Sequence, residues 1–253
     1  MMIDTKKILN EEFLTQEFTP LQGNADALGR YKELACGYAR LENALAVLSD
    51  MRRNVSYIYY GGFARVLGID DGLSDKMISS IWEDDIFRLI HPDDLARKHL
   101  QELCFFHFLK QQPKSRRADY YLMSKLRMRT ATGSYVPVLH RMYYVEFPHD
   151  GVLWLALCLY SRLICDFPSQ CVIVNSITGQ IIQPDKQNNS ALLTTREKEV
   201  LVLIDRGLAS KDIAEALCIS RHTVSRHRQE ILAKLQVKNS IEACRVAKDL
   251  RLI

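Results

Sequence analysis

The sequence predicts an α+β chain in which an antiparallel, strand-rich region precedes an all-helical C-terminal unit. Three observations carry that prediction. Residues 120–162 hold three strand-like runs separated by glycine-bearing turns, the pattern of an antiparallel meander. Residues 194–250 hold four short amphipathic segments, each opened by a Ser, Thr or Asn suited to a helix N-cap. Between them, Pro184-Asp185-Lys186-Gln187-Asn188-Asn189-Ser190 is polar, turn-forming and poor in core residues, the best domain boundary in the chain.

Composition sets the frame for these elements. A chain of 253 residues accommodates one large or two modest domains, each with its own core. Hydrophobic content of 47% with 25% charged residues is that of a soluble globular protein. The longest apolar run, Val152 to Tyr160, is too short to cross a bilayer and reads as a buried strand. No apolar run follows Lys6 and Lys7, so no signal peptide and no membrane partner are expected. The seven cysteines are odd in number, form no C-x-x-C pair, and four lie in apolar stretches, where a thiol packs as a small hydrophobe. A disulfide framework is therefore not expected, and the chain is assigned to a reducing cytoplasm. Residues 191–253 carry twelve Lys and Arg against eight Asp and Glu, a surplus equal to the whole chain's +4. Such segregation points one end of the molecule at a polyanion.

Residues 1–42 are read as an N-terminal helical segment in which Tyr31, Leu34, Tyr38 and Leu41 line one face. The same spacing continues to Leu45 and Leu48, but Ala44–Leu48 is an uninterrupted apolar run and is taken as a strand. After a turn at Met51–Asn54, Val55–Tyr60 is rich in strand formers. Gly61-Gly62 breaks that pattern, Phe63–Leu67 forms a short helix closed by Gly68, and 74–91 carries helical signals. His91-Pro92-Asp93-Asp94 looks like a helix start, with proline at the first position and carboxylates where backbone N–H groups are unsatisfied. The meander comprises Tyr120–Arg129, Tyr135–Phe147 and Val152–Arg162, with Leu122, Leu126 and Met128 on one face of its first strand. Cys171–Val174 and Gly179–Ile182 flank Asn175-Ser176-Ile177-Thr178, so the linker 164–190 is able to hold a small hairpin.

This order resembles a PAS domain over 43–163. The resemblance rests on Asn43–Gly68, on His91-Pro92-Asp93-Asp94-Leu95, and on Leu126–Val138 with its Thr132-Gly133-Ser134-Tyr135 turn. It implies a sensor domain with a five-stranded antiparallel sheet, helices covering one face, and a pocket for a small-molecule ligand of unnamed identity. No other cofactor is implied.

The C-terminal segments are more specific. Thr194-Thr195-Arg196-Glu197 is a capping box, followed by the apolar face Val200, Leu201 and Ile204, with Gly207 ending the helix. Ser210 is expected to cap Lys211–Leu217, Ser220 to cap Arg221–Leu235, and Asn239 with Glu242 to open a fourth helix. A short helix, a tight turn and a protruding second helix outline a helix-turn-helix, the device that places one helix in a major groove.

Residues 193–253 closely resemble the LuxR-type DNA-binding domain. The carrying residues are Leu193-Thr194-x-Arg196-Glu197-x-Glu199-Val200-Leu201, Gly207, Ser210-Lys211-x-Ile213-Ala214, Leu217-x-Ile219-Ser220, Thr223-Val224-x-x-His227, Ile231, Lys234-Leu235-x-Val237-x-Asn239 and Glu242-Ala243. Thr195 departs where proline is frequent, and Cys218 where glycine or a small polar residue is usual. The resemblance implies a double-stranded-DNA-binding transcriptional regulator, a homodimer through the fourth helix, acting with RNA polymerase. By that match Ser225, Arg226 and Gln229 face base edges, while Lys211, Arg221, Thr223 and Lys234 touch phosphates. The residues agree in part: Ser225, Arg226 and Gln229 share one helix face, and Arg and Gln suit guanine and adenine edges.

Other readings compete. A packed His227 that orients its helix or reaches a phosphate is favoured over a catalytic or pH-switching one, and helix capping over metal binding for His91, Asp93 and Asp94. Burial is favoured over redox pairing for Cys165 and Cys171. An enzyme in 1–163 lacks any G-x-S-x-G, P-loop, H-E-x-x-H or Cys/His metal spacing, so the chain is read as a non-enzyme. The alternative for the PAS-like domain is a pure dimerisation or protein-interaction module.

Overall fold

The computed structural model describes residues 5–14, 16, 25–69, 75–147, 152–167, 169–183, 193–235, 237–249 and 252–253. Helices α1 (Thr5–Leu14) and α2 (Ala25–Leu41) precede strands β1 (Leu45–Asp50) and β2 (Val55–Tyr60). Short α3 (Phe63–Leu67), strand β3 (Lys76–Ile78), α4 (Asp84–Phe87) and the long α5 (Pro92–Gln111) follow. Strands β4 (Tyr120–Arg129), β5 (Tyr135–Glu146) and β6 (Leu155–Arg162) form the meander, and β7 (Cys171–Asn175) with β8 (Ile181–Ile182) forms a hairpin. The C-terminal helices are α6 (Thr195–Asp205), α7 (Ser210–Ala216), α8 (Arg221–Leu235) and α9 (Ser240–Asp249). The α+β class and the antiparallel sheet match expectation. The boundary segment 184–190 and the turn at 148–151 lie outside the described residues.

The sheet runs β3-β2-β1-β6-β5-β4-β7-β8, every pair antiparallel. Among the described residues it therefore has eight strands and not five. Two additions account for the difference: β3 pairs with β2 within 74–91, where a helix was expected, and the hairpin beyond the meander pairs Tyr120–Ser124 with Cys171–Asn175. β3 is three residues long and mostly exposed, too short for a two-residue period to register in sequence.

Both faces of the sheet are covered, another departure from the one-sided layer expected. Every residue of β1 is buried, the mark of a strand with no solvent face. On one side Leu45, Val47, Ile58, Leu122, Met142 and Cys158 pack with Leu100, Leu103 and Phe106 of α5 and with Leu9 and Phe13 of α1. On the other, Ala46, Leu48, Tyr59, Leu155, Leu157 and Leu159 pack with α2. The side of α2 that does this is Ala27, Leu28, Ala35 and Ala39. Leu34, Tyr38 and Leu41 of the predicted seam are instead exposed, while Tyr31 donates its hydroxyl to the Val145 carbonyl at 2.6 Å. Alanines let the helix lie close on the strands, and their small side chains give little periodic signal.

Local chemistry fixes the joints. Asp50 Oδ1 accepts the Arg52 and Arg53 N–H groups at 3.1 Å and the Trp154 indole N–H at 3.0 Å, closing the β1–β2 turn. His91 caps α5, with Pro92 in its first turn. Asp94 accepts a two-pronged bond from Arg127 (2.8 and 2.9 Å), tying α5 to β4. The carboxylate at 94 thus joins two elements, beyond the capping expected of it.

Candidate nucleic-acid interface

Three side-chain caps shape the C-terminal unit. Thr194 and Glu197 form the expected capping box. Ser220 Oγ accepts the Thr223 N–H at 3.0 Å and Asn239 Oδ1 the Glu242 N–H at 2.9 Å. The expectation for Ser210 is corrected: Ala209 stands at the N-cap, and the Ser210 hydroxyl accepts instead from Arg228 at 3.0 Å. The α7–α8 turn passes through Cys218 at φ +53°, a left-handed conformation unusual for a side chain with a Cβ.

Val224, Ile231 and Leu235 of α8 are buried against Val200, Leu201, Ile213 and Ala247. On the opposite side Ser225, Arg226 and Gln229 are exposed, so the three residues expected to read bases share one solvent-facing surface. Arg226, with 64% of its side chain exposed, has its Nε 3.4 Å from Glu230 Oε1, whose other oxygen lies 3.3 Å from His227 Nδ1. An exposed i,i+4 pair of this kind is worth only about 0.3–0.5 kcal/mol, little resistance to exchanging the carboxylate for a guanine edge. His227 is largely buried, which suits a packing role.

The residues expected at phosphates divide into two groups. Lys211 and Arg221 are exposed and make no ion pair among the described residues; Thr223 is half-buried, its hydroxyl 2.9 Å from that of Ser220. Lys234 is differently placed. Its ammonium donates to both oxygens of the buried Glu197 at 2.7 Å, binding the end of α8 to the start of α6. Arg228 spans further, donating to Ser210 and Ser240 at 3.0 Å each and so holding α7 and α9 against α8. Arg196 Nη2 donates to the Leu217 carbonyl at 2.5 Å, satisfying the C-terminal end of α7.

Sequence reasoning missed two features of this surface. His222 is exposed one turn ahead of Arg226 on the same side of α8, a placement that its i,i+4 spacing announces. Glu230 contributes the one carboxylate that touches Arg226 among the described residues.

Among the described residues no helix is long and apolar enough to cross a membrane. Residues 191–247 match the family model "Bacterial regulatory proteins, luxR family". Oxygen regulatory protein NreC of Staphylococcus epidermidis is 36% identical over 85 residues, which are 32% of this chain and 38% of that protein. Transcriptional regulatory protein DesR of Bacillus subtilis is 43% identical over 68 residues, 27% of this chain and 34% of that protein. The chain thus spans well under half the length of these curated relatives. Two solved structures align over most of the chain: a phage VqmA–DPO complex (15% identity, 92% of this chain and 94% of that one, TM-score 0.33) and Escherichia coli SdiA (16%, 98% and 97%, 0.27). At those TM-scores neither likeness bears on fold or function.

Proposed function

Starting from a LuxR-type helix-turn-helix over 191–247, we propose that the chain is a sequence-specific regulator of transcription that binds duplex DNA. The observation that carries the proposal is the surface of α8: Ser225, Arg226 and Gln229 stand exposed, directly opposite the buried Val224, Ile231 and Leu235. In this reading those three residues read base edges, with Lys211, Arg221 and Thr223 on the phosphates. Lys234 is proposed at a phosphate as well, and its ammonium also holds Glu197. The DNA-binding domain is taken as 191–253 and works in the cytoplasm as a homodimer, acting on transcription through RNA polymerase.

Residues 43–163 are proposed as a PAS-like sensor whose ligand or partner tunes DNA binding. What supports this is the order β2-β1-β6-β5-β4 at the centre of the sheet, with α3, α4 and α5 inserted between its second and third strands in sequence. The linker proposed over 164–190 holds the β7–β8 hairpin.

In-vitro selection of random duplexes by the full chain tests the proposal. An enriched site should emerge, and binding should weaken steeply with salt. Arg226→Ala should relax preference at one position, losing about 1–3 kcal/mol there, whereas Lys211→Ala should weaken all duplexes alike. A folded chain that enriches no sequence and shows no salt-dependent binding sinks the reading.

A further inference from the structure

The inner face of the sheet carries a polar cluster that DNA binding leaves unexplained. Glu102 on α5, His140 on β5 and Cys158 on β6 are all buried, and their ligating atoms lie within 4.8 Å of one another. The register explains how they meet. His140 pairs with Tyr160 and Met142 with Cys158, so His140 and Cys158 are diagonal neighbours on adjacent strands. Glu102 comes down onto them from the helix above, its Oε1 3.8 Å from His140 Nε2.

Three features distinguish this cluster from ordinary core. His140 is fully buried, yet its Nε2 has no hydrogen-bond partner among the described residues. Its other nitrogen, Nδ1, is 3.1 Å from Ser124 Oγ on the neighbouring strand. A histidine fixed through one nitrogen with the other left open is the arrangement that outer-sphere bonds impose on metal-binding imidazoles. Finally, the hydroxyls of Tyr144 and Tyr160 are buried without partners, polar groups available to a further ligand.

We infer that Glu102, His140 and Cys158 form a binding site for a divalent transition metal, zinc in the first place, with Ser124 as its positioning residue. One thiolate, one imidazole and one carboxylate make a mixed donor set suited to zinc, and three protein ligands leave a fourth position open. A tetrahedral zinc holds such donors roughly 3.3–3.8 Å apart, so closure from the present separations needs only small side-chain shifts. Lys98 must be accommodated, because its ammonium donates to Glu102 Oε1 at 2.6 Å. A dication displaces that ammonium, and Glu83, a second buried carboxyl within its electrostatic reach, is there to receive it. Charge then balances: a dication and an ammonium against a thiolate and two carboxylates. Two protons leave to solvent on binding, that of the Cys158 thiol and that of the buried Glu83 carboxyl, which must ionise to take up the displaced ammonium.

The test is cobalt(II) alone, added during refolding to the full chain carrying Cys165→Ser and Cys218→Ser, which removes the two exposed thiols. The expected result is a single tight site with a thiolate-to-cobalt charge-transfer band and tetrahedral ligand-field bands, both displaced by zinc. Cys158→Ser, nearly isosteric, should abolish the charge-transfer band. Cys104→Ser, another buried thiol, should leave it intact. Ser124→Ala should weaken affinity about tenfold or more, and His140→Gln should do at least as much. A refolded chain that takes up no cobalt, or that gives the same spectrum with Cys158→Ser, overturns the inference and leaves the cluster a hydrogen-bonded core network.

Discussion

Lys234 places its ammonium 2.7 Å from both carboxylate oxygens of Glu197, and Glu197 in turn accepts the Thr194 N–H at 2.7 Å. One buried carboxylate thereby closes the first turn of α6 and anchors the far end of α8. The helix proposed to meet DNA is held at that end by an ion pair with little solvent access. Removing the lysine leaves the carboxylate buried without its counter-ion. Lys234→Ala should therefore lower stability by about 1–3 kcal/mol, read as a shift in the denaturant midpoint of the full chain. If the midpoint is unchanged while DNA affinity falls, the pair is not structural and Lys234 is a phosphate ligand only.

Cys218 holds φ +53° in the turn between α7 and α8. A side chain with a Cβ is disfavoured there by about 1–2 kcal/mol, and glycine removes that strain. Glycine also gives the unfolded chain more freedom, which offsets about 0.5–1 kcal/mol of the gain. Cys218→Gly should on balance stabilise the helical unit by about 0.5–1 kcal/mol, visible as a higher melting temperature. Destabilisation would mean that the weak contact from Cys218 Sγ to the Glu215 carbonyl, at 3.8 Å, matters more than the backbone conformation.

These two sites show what a sequence reveals and what it hides. The caps at Thr194, Ser220 and Asn239 are legible because a cap is a contact between residues three apart. The exposed surface of Ser225, Arg226 and Gln229, proposed to read bases, is legible because α8 alternates buried and exposed residues with helical period. Arg228 reaching Ser210 and Ser240, and Lys234 reaching Glu197, are bonds across 12 to 37 residues. No local pattern encodes them, and a basic residue looks the same whether it faces phosphate or a buried carboxylate. The packing of α2 is hidden for a different reason. Its buried face is mostly alanine, so the stronger apolar spacing of Leu34, Tyr38 and Leu41 marks the side turned to solvent. The cluster at Glu102, His140 and Cys158 draws on three separate elements, beyond any spacing rule.

Burial raises the Glu83 carboxyl to about 7 despite the nearby Lys98 and its bond from Ser49, with Glu102 adding to the rise. The folded chain thus holds this proton over a range where the unfolded chain has released it. Linkage then requires the contribution of Glu83 to stability to be fully present below about 4.5 and to fall as pH rises through about 7. Glu83→Gln removes that dependence. The stability difference between the variant and the parent should shift in favour of glutamine across the window, by on the order of 3 kcal/mol. Taking the difference matters, because buried His99 and His140 have lowered pKa values and push the parent's stability the opposite way, upward with pH. A difference that is flat with pH would show that Glu83 is ionised throughout.

Ile241 on α9 is 84% exposed, beside a shallow hollow lined by Ile204, Cys244 and Lys248. The other apolar residues of that helix, Ala243, Cys244, Val246 and Ala247, are committed to the core. An isoleucine in this position contributes nothing to the monomer, so a change to lysine should leave the melting temperature close to that of the parent. In the proposed homodimer it would instead put like charges face to face across a two-fold axis. Ile241→Lys should therefore reduce dimerisation in sedimentation experiments while leaving binding to a single half-site unchanged. Binding to a duplex with two half-sites one helical turn apart should fall by about 10²–10⁴-fold, the advantage that linking two modules confers. If parent and variant bind both duplexes equally well, α9 is not the dimer contact, and the exposed Leu34, Tyr38 and Leu41 of α2 become the surface to test next.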